Sequence, residues 1–209
     1  MRTISLVLCL AAISGCVSPS DFASPATPVQ GASCSAPRVF FDLGETLIDT
    51  ATFKFAKVFY LPGARDYLEA LRARHVALGL ITNLPESWGV DEAAKFSKLV
   101  AFVKDPWTDA AAPSGFDWNF FEREHILLPP NDKLRKPDKF LFEKALNIAR
   151  DDGCKALFQG EDEAEVNAAK AAGMEAFMVK RQVDGSGNLV PKFMPIEDVL
   201  RLQAAETGS

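Results

Sequence analysis

Beyond residue 38 the chain alternates two patterns: short apolar runs, and longer stretches whose apolar residues recur every three to four positions. The first is the pattern of buried strands, the second that of helices with one buried face. "RVFFDL" (38–43), "VALGLIT" (76–82), residues 125–128, "KALFQG" (155–160) and "EAFMVK" (175–180) read as five strands. The helical stretches are "PGARDYLEALRARH" (62–75), residues 91–99, "KPDKFLFEKALNIAR" (136–150) with Pro137 at its start, and "EAEVNAAKAAG" (163–173) closed by Gly173. "VDGSGNLV" (183–190) reads as a hairpin or loop and "PIEDVLRLQAA" (195–205) as a closing helix. This alternation predicts an α/β fold with a parallel central sheet covered on both faces. Ligands of such open sheets sit outside the carboxyl ends of the strands, where Asp42, Thr82 and Glu161 fall.

The first 37 residues do not share the pattern. Met1, Arg2 and Thr3 precede an apolar run from Ile4 to Ile13, too short to span a bilayer, and the small residues Ser14 and Gly15 follow it. That is the anatomy of a signal peptide. Cys16 comes next, and "ISGC" resembles the lipobox of bacterial lipoproteins, which implies a signal peptide over 1–15 and acylation of Cys16. Val17 after the cysteine implies, by the same resemblance, the outer membrane of the cell envelope. Residues 16–37 are rich in Ser, Pro and Ala and read as the lipidated cysteine with a flexible tether, leaving 38–209 as the folded domain. A net charge of −5 without a basic run excludes a general attraction for nucleic acid or anionic lipid, so the lipid anchor is the only membrane contact expected.

Four stretches resemble, in order, the motifs of the haloacid dehalogenase (HAD) superfamily of hydrolases: "FFDLGETL", "LGLITN", "RKPDKFLFEKAL" and "LFQGEDEAEVNAAKAAGM". The resemblance spans residues 39–174 and implies a three-layer Rossmann-like (HAD-like) fold. It implies that Asp42 attacks phosphorus to form an aspartyl-phosphate. Thr82, Asn83 and Lys136 would hold the phosphoryl group, with Lys136 balancing charge beside the nucleophile. Magnesium is implied as cofactor, bound by Asp42, the Gly44 carbonyl and an acid of the fourth motif, which maps to Glu161 with Asp162 as a substitute. In the family's sheet order the first and fourth strands are neighbours, which implies that Cys34 and Cys154, each ahead of one of them, pair as a disulfide.

Two positions depart from the family pattern. Glu161 and Glu165 stand where the fourth motif usually offers aspartates, and Gly44 stands where most of the family's phosphatases place the acid/base aspartate. The roles left for the neighbouring Glu45 are to reach back as that acid or to face water. Residues 47–62 are too few for the usual helical cap, so an open site is expected. Trp88, Trp107, Phe116, Trp118, Phe120 and Phe121 then form either a lid or, preferred here, a satellite core. His75 and His125 read as structural. The expectation is a magnesium-dependent phosphomonoesterase of the envelope acting on a small phosphorylated substrate; "DLGETLID" also resembles the envelope acid phosphatases of the superfamily. The alternatives are a degenerate lipoprotein that binds a phosphorylated ligand or a protein without turnover, and a dehalogenase, which needs an enclosed apolar cap.

Overall fold

The computed structural model describes residues 34–51 and 57–204; the segment expected to be a signal peptide, Cys16 and most of the expected tether lie outside the described residues. In chain order the strands are β1 (Arg38–Phe41), β2 (Ile48–Asp49), β3 (Phe59–Tyr60), β4 (Leu78–Ile81), β5 (Ile126–Leu127), β6 (Ala156–Gly160), β7 (Glu175–Met178), β8 (Lys180–Val183) and β9 (Leu189–Lys192). The helices are α1 (Ala64–Arg72), α2 (Glu92–Lys104), α3 (Phe140–Asp151), α4 (Glu163–Ala171) and α5 (Ile196–Ala204). Five strands form one parallel sheet in the order β5-β4-β1-β6-β7.

Side chains alternate across this sheet, as the period of two requires. Val39, Phe41, Leu80 and Leu157 face Leu68 and Leu71 of α1, Val103 of α2 and Val199 of α5. Phe40, Ile81, Leu127 and Phe158 face Phe142 and Ala145 of α3 and Val166 and Ala169 of α4. The result is the expected three-layer α/β architecture. Gly79 marks one tight point: a Cβ there would lie 2.5 Å from the Phe40 ring and 2.8 Å from the His125 carbonyl.

Several boundaries differ from the sequence reading. Helix α2 runs on to Lys104 because Val103, like Leu99, is buried. The strand expected over 125–128 shortens to two residues, and His125 closes a 3-10 turn instead, its ring 3.1 Å from both Arg38 and the Glu122 carboxylate. Helix α3 begins at Phe140 rather than at Pro137, since the Asp138 carboxylate accepts the Phe140 N–H in a turn of its own. The glycine-rich stretch after residue 183 is a hairpin joining β8 to β9, its turn fastened by the Asp184 carboxylate, which accepts N–H groups of Ser186 and Asn188.

No helical cap stands among the described residues between Leu47 and Pro62; Ile48 and Asp49 pair antiparallel with Tyr60 and Phe59. The aromatic residues pack on that hairpin. Phe116 stacks on Tyr60 at 5.1 Å and meets Trp118 at 4.6 Å, the Asp117 N–H donates to the Tyr60 hydroxyl, and Phe116, Phe120 and Phe121 are buried. The expected satellite is instead an extension of the main core, with Phe116, Phe120 and Phe121 in one cluster with Phe41 and Leu68, and Trp88, Trp107 and Trp118 packed against it. Cys34 and Cys154 are bonded, their Cα atoms 5.1 Å apart across 120 residues of sequence. A loop of that length stabilises the fold by about 4 to 5 kcal/mol in the chain-entropy picture. No helix among the described residues is long and apolar enough to cross a membrane.

Candidate active site

Asp42 directly follows β1, the middle strand of the sheet, and its N–H donates to the Gln159 carbonyl of β6 at 3.0 Å. Thr82 follows β4, Lys136 lies between the turn Asp132–Leu134 and α3, and Glu161 follows β6. The crossovers of the fold therefore deliver these residues to the same carboxyl-end edge.

The centre of the arrangement is Lys136. Its buried ammonium lies 2.5 Å from Asp42 Oδ1 and 2.6 Å from Glu165 Oε2. Burial alone would push the lysine pKa down, but the two carboxylates outweigh it and hold the pKa above the ordinary value, so the ammonium stays charged. One ammonium between two carboxylates leaves one negative charge over. Accordingly burial, aided by the Asp42 charge, holds Glu165 above the usual carboxylate range against the opposing pull of Lys136.

Asn83 was expected to hold phosphoryl oxygens, and the structure gives its side chain another task. Asn83 Oδ1 accepts the Lys136 N–H at 2.7 Å and Asn83 Nδ2 donates to the Lys136 carbonyl at 2.9 Å. With both ends of the amide on the lysine backbone, Asn83 fixes where Lys136 stands. Thr82, which is buried at its strand end, remains as the group expected for the phosphoryl oxygens.

On the fourth-motif side, Thr46 donates its hydroxyl to Glu161 Oε2 at 2.5 Å. Burial, and the nearby charge of Asp42, push Glu161 up to about 7. Asp162, the proposed substitute ligand, is exposed and caps α4 by accepting the Glu165 N–H at 3.0 Å. Glu165, one helical turn further, holds the inward place beside Lys136.

Glu45 does not replace the carboxylate missing at position 44. Its backbone adopts φ 57°, left-handed for a non-glycine residue. Oε1 accepts the Thr50 N–H, the Thr50 hydroxyl and the Ala51 N–H, all at 2.7 Å, and Oε2 meets Arg181 of β8. Burial raises its pKa, yet these donors and the arginine outweigh burial and bring it below the ordinary value. The result is an ionised carboxylate that fastens its own turn. Arg181 left no signal in the sequence, lying 136 residues from its partner, whereas Thr46 sits in plain view within the first motif.

Among the described residues no group of three or more His, Cys, Asp or Glu side chains is gathered at metal-binding spacing. The donor chemistry nonetheless suits a hard cation, because magnesium is commonly held by one or two carboxylates with waters and substrate phosphate completing its shell. Asp42 and Glu161 supply two such groups, close enough for one to raise the pKa of the other.

No protein-family model matches the sequence, and no curated protein matches it. Solved structures do share the architecture. An L-2-haloacid dehalogenase is 14% identical with a TM-score of 0.51, the alignment covering 82% of this chain and 100% of that one. A HAD-superfamily hydrolase from Ehrlichia chaffeensis is 12% identical with a TM-score of 0.45, covering 82% of this chain and 98% of that one. The likeness to the dehalogenase is one of fold, and the fold is the HAD-like one.

Proposed function

We propose that the chain is a HAD-like hydrolase, a magnesium-dependent phosphomonoesterase working through an aspartyl-phosphate on Asp42 and anchored at the cell envelope through Cys16. The observation that carries this reading is the buried Lys136–Asp42 pair, 2.5 Å apart at the carboxyl end of the central strand. A carboxylate so placed can act as a nucleophile, and the lysine offsets the charge that gathers when a phosphate dianion approaches it. An Asp42 oxygen forms a bond to phosphorus as the ester P–O bond breaks, and the leaving oxygen takes its proton from solvent, since Gly44 offers none. Water then attacks the aspartyl-phosphate, the bond to Asp42 breaks, and inorganic phosphate departs. Thr82 orients the phosphoryl oxygens, and Lys136 remains protonated throughout. Magnesium, when bound, would be held by Asp42, the Gly44 carbonyl and Glu161 and would neutralise phosphoryl charge.

The envelope location rests on "ISGC" and is supported by the Cys34–Cys154 disulfide, a bond that persists in oxidising compartments. Haloacid hydrolysis, suggested by the name of the dehalogenase that shares the fold, is disfavoured by the short β2–β3 hairpin where an enclosing cap would be needed. The engaged carboxylate of Glu45 favours a different second reading, a binding protein without turnover.

One assay separates the three: phosphate release from an aryl phosphate in magnesium and in EDTA, alongside chloride release from a 2-haloacid. The expected outcome is magnesium-dependent phosphate release that disappears in a folded Asp42→Asn protein. Near-full turnover by that variant would sink the mechanism, and a folded wild-type protein releasing neither product would leave the binding reading standing.

A further inference from the structure

A second buried lysine lies apart from the Asp42 site. Lys95, near the start of α2, is only 2% exposed, and its ammonium donates to the carbonyls of Pro129 and Pro130, each at 2.8 Å. Lys136 has two carboxylates; Lys95 forms an ion pair with no described carboxylate. An ammonium has three N–H donors, so one of them, and the charge itself, is left without a protein partner. A charge taken out of water is unfavourable unless an opposite charge compensates it.

Lys95 lines a cavity of about 220 Å³ whose apolar walls are Leu128, Pro129, Pro130 and the half-exposed Phe140, with the exposed Val90 at its rim. The acids at its rim are already engaged. Asp91 caps α2 by accepting the Ala94 N–H at 2.7 Å, and Glu92 pairs with Arg123 at 3.4 Å and Lys144 at 3.6 Å. An apolar cavity of about 150 Å³ is enough to hold benzene, so the space here suits one ring or a short chain. A single available N–H matches one carboxylate oxygen better than the multiply charged head of a phosphate.

We propose that this cavity binds a small apolar monocarboxylate, its carboxylate on the Lys95 ammonium and its ring or chain against Leu128, Pro129, Pro130 and Phe140. Leu128 to Pro130 precede, and Phe140 follows, the segment that presents Lys136. A ligand there touches both ends of that segment, at a site separate from the nucleophile.

Calorimetric titration of the full chain with benzoate, benzyl alcohol and benzylamine tests this. Benzoate should bind saturably and at least about tenfold more tightly than the alcohol, with no binding of the amine. Lys95→Met, which keeps the length of the side chain without its charge, should weaken benzoate at least about tenfold. Because that variant uncovers two proline carbonyls, Phe140→Glu provides a second arm: it removes part of the apolar wall and places a negative charge at the half-exposed rim, so it should weaken both ligands, and benzoate by a larger factor than the alcohol. Equal affinity for benzoate and benzyl alcohol, absence of saturable benzoate binding up to about 10 mM, or unchanged benzoate affinity in a folded variant overturns the proposal. If Lys95→Met does not fold, Phe140→Glu decides.

Discussion

On one flank of Asp42 a buried ammonium stands 2.5 Å from the carboxylate, its backbone clamped by Asn83 and its charge shared with Glu165. On the other flank the nearest acid in sequence, Glu45, is turned into its own loop by Thr50, Ala51 and Arg181. The first flank directs charge at Asp42, while the second consumes it in holding a turn. Under the proposed mechanism, nucleophile activation and leaving-group protonation are therefore separable, the first having its charged partner in place and the second having no carboxylate at position 44.

The largest test of that contrast is Lys136→Met. Removing the cation strands Asp42 and Glu165 together, and breaking a buried pair in this way typically destabilises by about 3 to 5 kcal/mol. Urea unfolding at pH 8 should show a loss of that size, and a smaller one as the pH is lowered, because Glu165, already held above the usual carboxylate range by burial, takes up a proton more readily once the lysine is gone. A loss under about 1 kcal/mol would mean that the pair is solvated and the contrast false.

Gly44→Asp asks whether the second flank can be rebuilt. The Gly44 backbone lies outside the left-handed region, and a new Cβ would meet Thr50 Oγ1 at 3.3 Å, so Thr50 must yield by a few tenths of an ångström. Turnover of an alkyl phosphate should rise by about 10²-fold, the low end for general acid/base catalysis, with a smaller gain on an aryl phosphate. An equally stable variant without gain on the alkyl substrate would show that another group already supplies the proton.

Glu161 gives a pH signature. Its folded-state pKa, about 7, lies above the ordinary 4.5, so its contribution to stability is complete below pH 4.5 and is lost as pH rises through 7. Metal-free protein should lose stability across that window, by about 1 to 2 kcal/mol once solvent screening is allowed for, and Glu161→Gln should flatten the profile. Calorimetric melting from pH 4 to pH 8 in EDTA measures both, and coincident profiles would remove Glu161 from the account.

Arg181→Gln should have the smallest effect. The pair with Glu45 is more than a quarter exposed on both sides, so a cost below about 1 kcal/mol in melting is expected. A loss above about 2 kcal/mol would show that the β8–β9 hairpin holds the nucleophile loop in place.

What could be read from the sequence follows a physical division. The strands themselves, the two covered faces and the strand-end positions of Asp42 and Thr82 come from apolar periodicity, a local signal, whereas the adjacency of the first and fourth strands came only from the resemblance to the HAD motifs. The lysine ahead of α3 was legible through that resemblance too, since by local pattern alone it reads as a solvated residue before a helix. The tasks of Asn83, Asp162 and Glu165 were not, because one helical turn decides which acid caps α4 and which points inward. Glu45 shows the limit most clearly: no spacing in the chain announces that an arginine from the far hairpin, with the next loop's amides, will occupy its carboxylate.

The disulfide has a mechanical meaning. Cys34 stands four residues before β1, and β1 is hydrogen-bonded on both sides, to β4 and to β6. Any pull on the chain ahead of Cys34 is transferred through the sulfurs to the turn between α3 and β6 before it loads β1. The central strand, with the nucleophile at its far end, is thus shielded from traction. Such a pull is borne by a covalent cross-link, and the register of the strand that carries Asp42 is left undisturbed.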